Sequence, residues 1–148
     1  MQTFVPVPDF VASAEFLDYR RLGKQRVETM QIINAIVLNR QHGWRNHPAT
    51  KMWMNNVNGL SAYGVAICEE WIRRGFKDTC LGKIKNLVQP DYSDLPSWWG
   101  DDRVHSSHRA NLLRKYPEHY GAFGWTEDPT MEYFWPSSET ILIGGKVS

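Results

Sequence analysis

The chain has too little of several things for whole classes of protein to apply. Two cysteines, Cys68 and Cys80, in 148 residues are not a disulfide framework, and they point to a reducing compartment, the cytoplasm. No apolar run approaches the roughly 20 residues of a membrane span. The start, MQTFVPVPDF, lacks a basic segment followed by an apolar core, so neither a signal peptide nor a transmembrane helix is expected. Alternating polar and apolar stretches are scarce, which argues against a β protein. Internal repeats, low-complexity tracts and a glycine-rich phosphate loop are all missing. A net charge of only +1 excludes a uniformly basic coat.

What is present is ordinary globular composition, 42% hydrophobic and 22% charged. That is enough chain for one domain over 1–148, burying most of its apolar surface without staples. The charge is segregated. From Arg20 to Lys51 there are seven Lys or Arg against the single acid Glu28. From Arg103 to Lys115 there are four more, no acid, and His105 and His108. Such blocks fit a polyanion-facing side, unless folding scatters them.

The pattern predicts an all-α protein: a single compact helical bundle with an extended N-terminal arm and an aromatic C-terminal strap. Pro6 and Pro8 suit the arm. The core runs from about residue 13 to 125 and the tail over 126–148. Ser13 is the expected N-cap of a first helix reaching Arg40, with Phe16, Tyr19, Gly23, Val27 and Met30 on its apolar stripe. Arg20, Arg21, Lys24 and Glu28 fall on the adjacent face, at the rim of a groove, with Lys24 and Glu28 spaced for an (i, i+4) pair. Asn46 or His47 caps a second helix opened by Pro48 and running to Arg74, with Trp53, Val57, Leu60, Gly64, Ile67 and Trp71 inward. Gly59 and Gly64 allow a close helix crossing or a bend. A shorter helix follows over Asp78 to Val88, then a loop to Gly100 carrying Trp98 and Trp99, exposed or docked. Asp101 or Asp102 caps a helix over 101–116. Tyr133, Phe134 and Trp135 form the strap.

Few residue sets carry chemistry. His105 and His108 stand at (i, i+3), a metal-compatible spacing, but no acid or cysteine matches them and Arg109 is their neighbour. No metal site is expected; anion contact and plain solubility remain. Cys68 beside the core stripe reads as a buried small residue. Arg45, Asn46 and His47 precede a helix N-terminus, where free N–H groups attract anions, so they read as a phosphate clamp or as ordinary capping. Glu28, bracketed by Lys24 and Arg21, is expected to be held ionised and suited to positive charge developing on a sugar.

The blocks MQTF, RLGKQRVE, GWRNHP and HSSHRANLLRK, with Tyr19-Arg20-x-Leu22, Arg74-Gly75-Phe76 and Ser93-Asp94-Leu95-Pro96 in that order, resemble the phage-type pyrimidine-dimer DNA glycosylases, the dimer-excising endonuclease V family, and a short bacterial and phage branch of it. The resemblance implies a helical bundle whose N-terminus enters a DNA-facing groove. It further implies an α-amine that attacks C1′ as the base leaves, a Schiff base, and β-elimination helped by a glutamate. An α-amine has an appreciable neutral fraction near pH 7. The family's glutamate follows the Tyr-Arg pair, a position held here by Arg21, and Glu28 is the substitute on the same face. Gln2 is bulky for methionine removal, so Met1 is the expected amine, with Lys24 as an alternative nucleophile. The expected function is a DNA glycosylase and AP lyase excising a damaged or modified pyrimidine, needing no cofactor and acting as a monomer on duplex DNA, away from membranes. Arg20, Arg21, Arg26, Arg45, Asn46, His47, His105, His108 and Arg109 are the expected DNA contacts. Arg26 lies about 160° around the helix from Lys24. Trp44, Trp98 or Trp99 is expected to stack on a base. The alternatives are a non-catalytic DNA-binding protein of the same fold and an enzyme acting on a free or hypermodified nucleoside.

Overall fold

Two aspartates start the helices at the N-terminal end. In the computed structural model, which describes residues 2–38 and 45–136, Asp9 caps α1 (Phe10–Phe16) by accepting from Ala12 N at 2.8 Å. Leu17 then turns extended and is fully buried, and Asp18 caps α2 (Tyr19–Val37). The single helix expected from a Ser13 cap is therefore two. Ser13 lies inside α1 and its hydroxyl donates to Val7 O at 2.9 Å.

The buried face of α2 is Leu22, Gln25, Thr29, Ile32, Ile33 and Ala35. Tyr19 and Val27, expected inward, are 52% and 41% exposed. Both stripes obey helical spacing, but the true one contains polar Gln25 and Thr29, which a ranking by hydrophobicity sets aside.

His47 Nδ1 accepts from Ala49 N at 3.0 Å and caps α3 (Pro48–Lys51). The expected long second helix is interrupted after Lys51, where Trp53 turns into the core and donates from Nε1 to Thr3 Oγ1 at 2.9 Å. It resumes as α4 (Val57–Arg73), the central helix, against which α1, α2 and α5 (Leu81–Leu87) pack. Asn56 makes no side-chain cap there. Asp94 supplies one from a distant loop, accepting from Gly59 N at 3.0 Å and from Asn56 Nδ2 at 2.9 Å. A Cβ at Gly64 would lie 2.9 Å from Thr29 Cγ2 and 3.0 Å from Ile84 Cδ1, so the glycine permits the close approach of α2 and α5 to α4.

Asp101 caps α6 (Asp102–Lys115), followed by α7 (Pro117–Tyr120) and a 3₁₀ turn, Gly121–Phe123. The strap crosses α6: Ser107 Oγ accepts from Phe134 N at 3.1 Å, and Asn111 Nδ2 donates to Met131 O at 3.2 Å. Among the described residues there is no strand, and the all-α class with its arm and strap holds.

The arm, residues 2–6, is buried throughout with no strand beside it, so side chains must satisfy its backbone. His105 and His108 do this for Val5. His108 Nδ1 accepts from Val5 N at 2.9 Å. His105 Nε2 accepts from Gly100 N at 3.0 Å, so its Nδ1 carries the proton and donates to Val5 O at 2.8 Å. Both imidazoles act in the neutral form. Burial lowers the His105 pKa and pushes that of His108 down to about 3, with His105 and Arg109 adding to the latter. An unfolded chain takes up protons below about pH 6.5 that folded His108 refuses, so stability falls with pH at up to about 1.4 kcal/mol per unit. His108 alone should cost about 2 kcal/mol between pH 6.5 and pH 5. Urea unfolding across that range should show the loss, and His108→Gln should flatten it.

Candidate active site

One hollow of about 370 Å³ opens beside α2. The helix contributes Arg20, Arg21, Lys24, Gln25 and Glu28; the arm contributes Gln2 and Phe4; Lys115 at the end of α6 and Tyr133 of the strap close it. The predicted ridge of charge does line a cleft.

Gln25 joins the arm to the cleft carboxylate. Its Nε2 donates to Gln2 O at 2.6 Å and to Glu28 Oε1 at 3.1 Å. Its Oε1 accepts from Phe4 N at 3.1 Å and lies 2.6 Å from the Tyr63 hydroxyl, whose proton is shared between that oxygen and Phe4 O at 2.9 Å. Burial drives the Tyr63 pKa well above its usual value, so the hydroxyl keeps its proton. Every hydrogen-bonding site of the Gln25 amide is thus engaged.

Glu28 is half-buried. Burial raises its pKa against the pull of nearby cationic charge, Lys24 included, so the shift follows burial and not the bracketing cations, from which an ionised carboxylate is expected. A carboxyl raised in this way is better matched to proton transfer. The Lys24–Glu28 pair that the spacing allows is not among the ion pairs of the described residues; the carboxylate accepts from Gln25 instead. Arg21 is drawn to the Asp18 carboxylate at 3.2 Å. Asp18 also accepts from the Tyr120 hydroxyl at 2.5 Å. Against the cost of burial, the Tyr120 and Arg21 contacts leave its pKa lowered. Lys115 is lowered by burial and by Arg21, Arg114 and Lys24.

The remaining expected DNA contacts stand elsewhere. Arg26 pairs with Asp78 at 2.6 Å and lies 4.4 Å over the Trp71 ring. Arg45 donates to Ala35 O at 2.7 Å and Ile36 O at 3.2 Å, closing the end of α2. His47 is a helix cap, and Asn46 beside it is exposed. His105 and His108 are buried against the arm. Arg109 donates to Glu127 at 2.9 Å, Asp102 at 3.0 Å and Pro6 O at 2.8 Å. Trp98 is 2% exposed and donates to Met52 O at 2.9 Å, while Trp99 packs on Phe10 with ring centroids 4.6 Å apart. None of these lines the cleft. Met1 and Trp44 fall outside the described residues.

Gln25, Lys115, Tyr133 and Gln2 were not singled out from the sequence as site residues. The available signal for Gln25 was its place, spaced with Leu22 and Ile32 where a buried residue belongs. Among the described residues no group of acids, histidines and cysteines could hold a metal. No helix of the described chain is long and apolar enough to cross a membrane.

Replacing Gln25 by leucine would leave the Phe4 N–H and the Gln2 carbonyl buried without partners. Gln25→Leu should lower stability by about 3 kcal/mol, against less than about 0.5 kcal/mol for Lys24→Ala on the exposed rim, read from urea midpoints.

The family model for pyrimidine dimer DNA glycosylase matches residues 1–83, the segment holding the arm, α2 and the cleft carboxylate. No curated protein and no solved structure matched the chain. With over half its length matched, the chain belongs to the pyrimidine dimer DNA glycosylase family of DNA-repair enzymes.

Proposed function

We propose that the cleft excises a damaged or modified pyrimidine from duplex DNA through the amine at the start of the chain, and that strand cleavage follows from the Schiff base. The observation that carries this reading is the Gln25 amide, whose one nitrogen touches both Gln2 O and Glu28. In this reading the amine of Met1, the residue before Gln2 in the sequence, acts together with the Glu28 carboxyl.

In the reaction, the neutral amine attacks C1′ and the base departs with the bonding electrons and a proton. The C1′–O4′ bond then breaks, O4′ taking a proton from water as the nitrogen lone pair forms the protonated imine. Glu28, its pKa raised by burial, removes a proton from C2′, and the 3′ phosphate leaves by β-elimination. Arg20, Lys24 and Lys115 hold backbone phosphates at the mouth of the cleft. Arg21, in the position of the family's acid, orients Asp18 and the start of α2.

Base release from duplexes carrying single defined lesions tests the proposal, with borohydride trapping of the imine as the second readout. Glu28→Gln should slow the reaction by about 10²–10⁴-fold. Trapping that survives N-terminal blocking but disappears in Lys24→Ala would move the nucleophile to Lys24. If three phosphates are contacted, binding should weaken roughly 40-fold between 50 and 200 mM salt, and Lys115→Ala should reduce the salt slope by about one. Salt-sensitive duplex binding without base release or trapping would make the protein a non-catalytic binder. Activity on free nucleosides without duplex binding would overturn the DNA reading.

A further inference from the structure

A second hollow, about 400 Å³, adjoins the cleft and shares Arg20, Arg21 and Lys115 with it. Its other walls are two tyrosines, Tyr19 at 52% and Tyr116 at 40% exposure, and buried Asp18. Exposed aromatic rings in so cationic a place call for an explanation, because neither is needed to fill the core. Each ring has a near-parallel neighbour. Tyr19 stacks near Phe76 at 6.3 Å and 21°, and Tyr116 stacks on His119 at 5.7 Å and 28°. Arg20 leans on Tyr19, its guanidinium carbon 5.8 Å from the ring centre. Asp18, the hollow's carboxylate, is 4% exposed and engaged by Tyr120 and Arg21, so it offers little opposition to an anion.

We propose that this hollow receives the base of the nucleotide next to the one in the cleft, stacked on Tyr116 with Tyr19 as the facing wall, so that the preferred substrate has an unpaired neighbour beside its lesion. The proposal rests on the DNA reading above and narrows its substrate class. Its argument is the pairing of functions across the two hollows. Consecutive nucleotides share one phosphate, and the shared cations stand where a linking phosphate would be held. An aromatic wall is sequence-tolerant, since every base has a π-face. A base paired and stacked in a duplex cannot enter such a hollow; it must already be out or be extruded.

The test uses fluorescence anisotropy with duplexes bearing a tetrahydrofuran abasic site at the target position. The neighbour, placed on each side in turn, is paired, mismatched, or itself abasic. For the intact protein the mismatched neighbour should bind about tenfold more tightly than the abasic neighbour, the gain being the base that stacks. Tyr116→Leu keeps an apolar side chain at an exposed position but removes the π-face, and it should bring the two substrates level while leaving the abasic-neighbour affinity unchanged. Tyr19→Leu should shrink the difference in the same sense. Equal binding of the two substrates by the intact protein would overturn the inference, as would equal weakening of both by Tyr116→Leu. Either of those results, alongside salt-sensitive binding of all the duplexes, leaves the DNA reading standing. Salt-insensitive, uniformly weak binding of all the duplexes would remove both. Tighter binding of the matching RNA strands would replace the occupant and overturn the DNA form of the inference.

Discussion

Burying an extended strand of backbone where no sheet exists is the constraint on which this structure depends. Residues 2–6 have peptide groups that cannot be hidden unpaired, and helices have no spare ladder to lend them. The protein meets the requirement with side chains that act like a neighbouring strand. Gln25 takes Gln2 and Phe4, His105 and His108 take the two sides of Val5, and Arg109 takes Pro6. Gln25, His105 and His108 are polar residues inside the bundle that do this work. Gln25 and the arm residues it holds, Gln2 and Phe4, also line the cleft, so positioning the arm and building the site are one structural task.

This arrangement explains how the site can hold so much positive charge in a chain that is nearly neutral. Arg26, Arg45 and Arg109 are spent on structure: an aspartate and an indole, two helix-end carbonyls, and the arm with two carboxylates. The cations left on the cleft are Arg20, Lys24 and Lys115, with Arg21 partly committed to Asp18. The field at the site is therefore set by which cations lack structural work, and their total number matters less.

The fold was largely legible because helical spacing survives in the sequence. Leu60, Gly64 and Ile67 lie buried where the period put them, and Asp101 caps the helix that follows it. The ridge of Arg20, Arg21, Lys24 and Glu28 does reach a cleft. What could not be read was direction. A histidine pair beside an arginine has one spelling whether it faces DNA or the interior, and only burial against Val5 decides it. Trp98 and Arg45 pose the same ambiguity: a large aromatic and a cation suit a ligand surface and a core equally well until tertiary contacts are known. The break at Leu17 was hidden because Ser13 and Asp18 are both acceptable caps.

The cleft also draws its walls from distant parts of the chain, with Phe4 of the arm and Tyr133 of the strap in ring contact at 6.4 Å. Val5 meets His108, Asp18 meets Tyr120, and Phe16 O meets His119, each more than a hundred residues away along the chain. During synthesis on the ribosome, the arm emerges before α6 and the strap and waits for the partners there that satisfy it. A nascent chain that stops short of the strap carries an open, incomplete groove, so the cleft closes only after Tyr133 has been made.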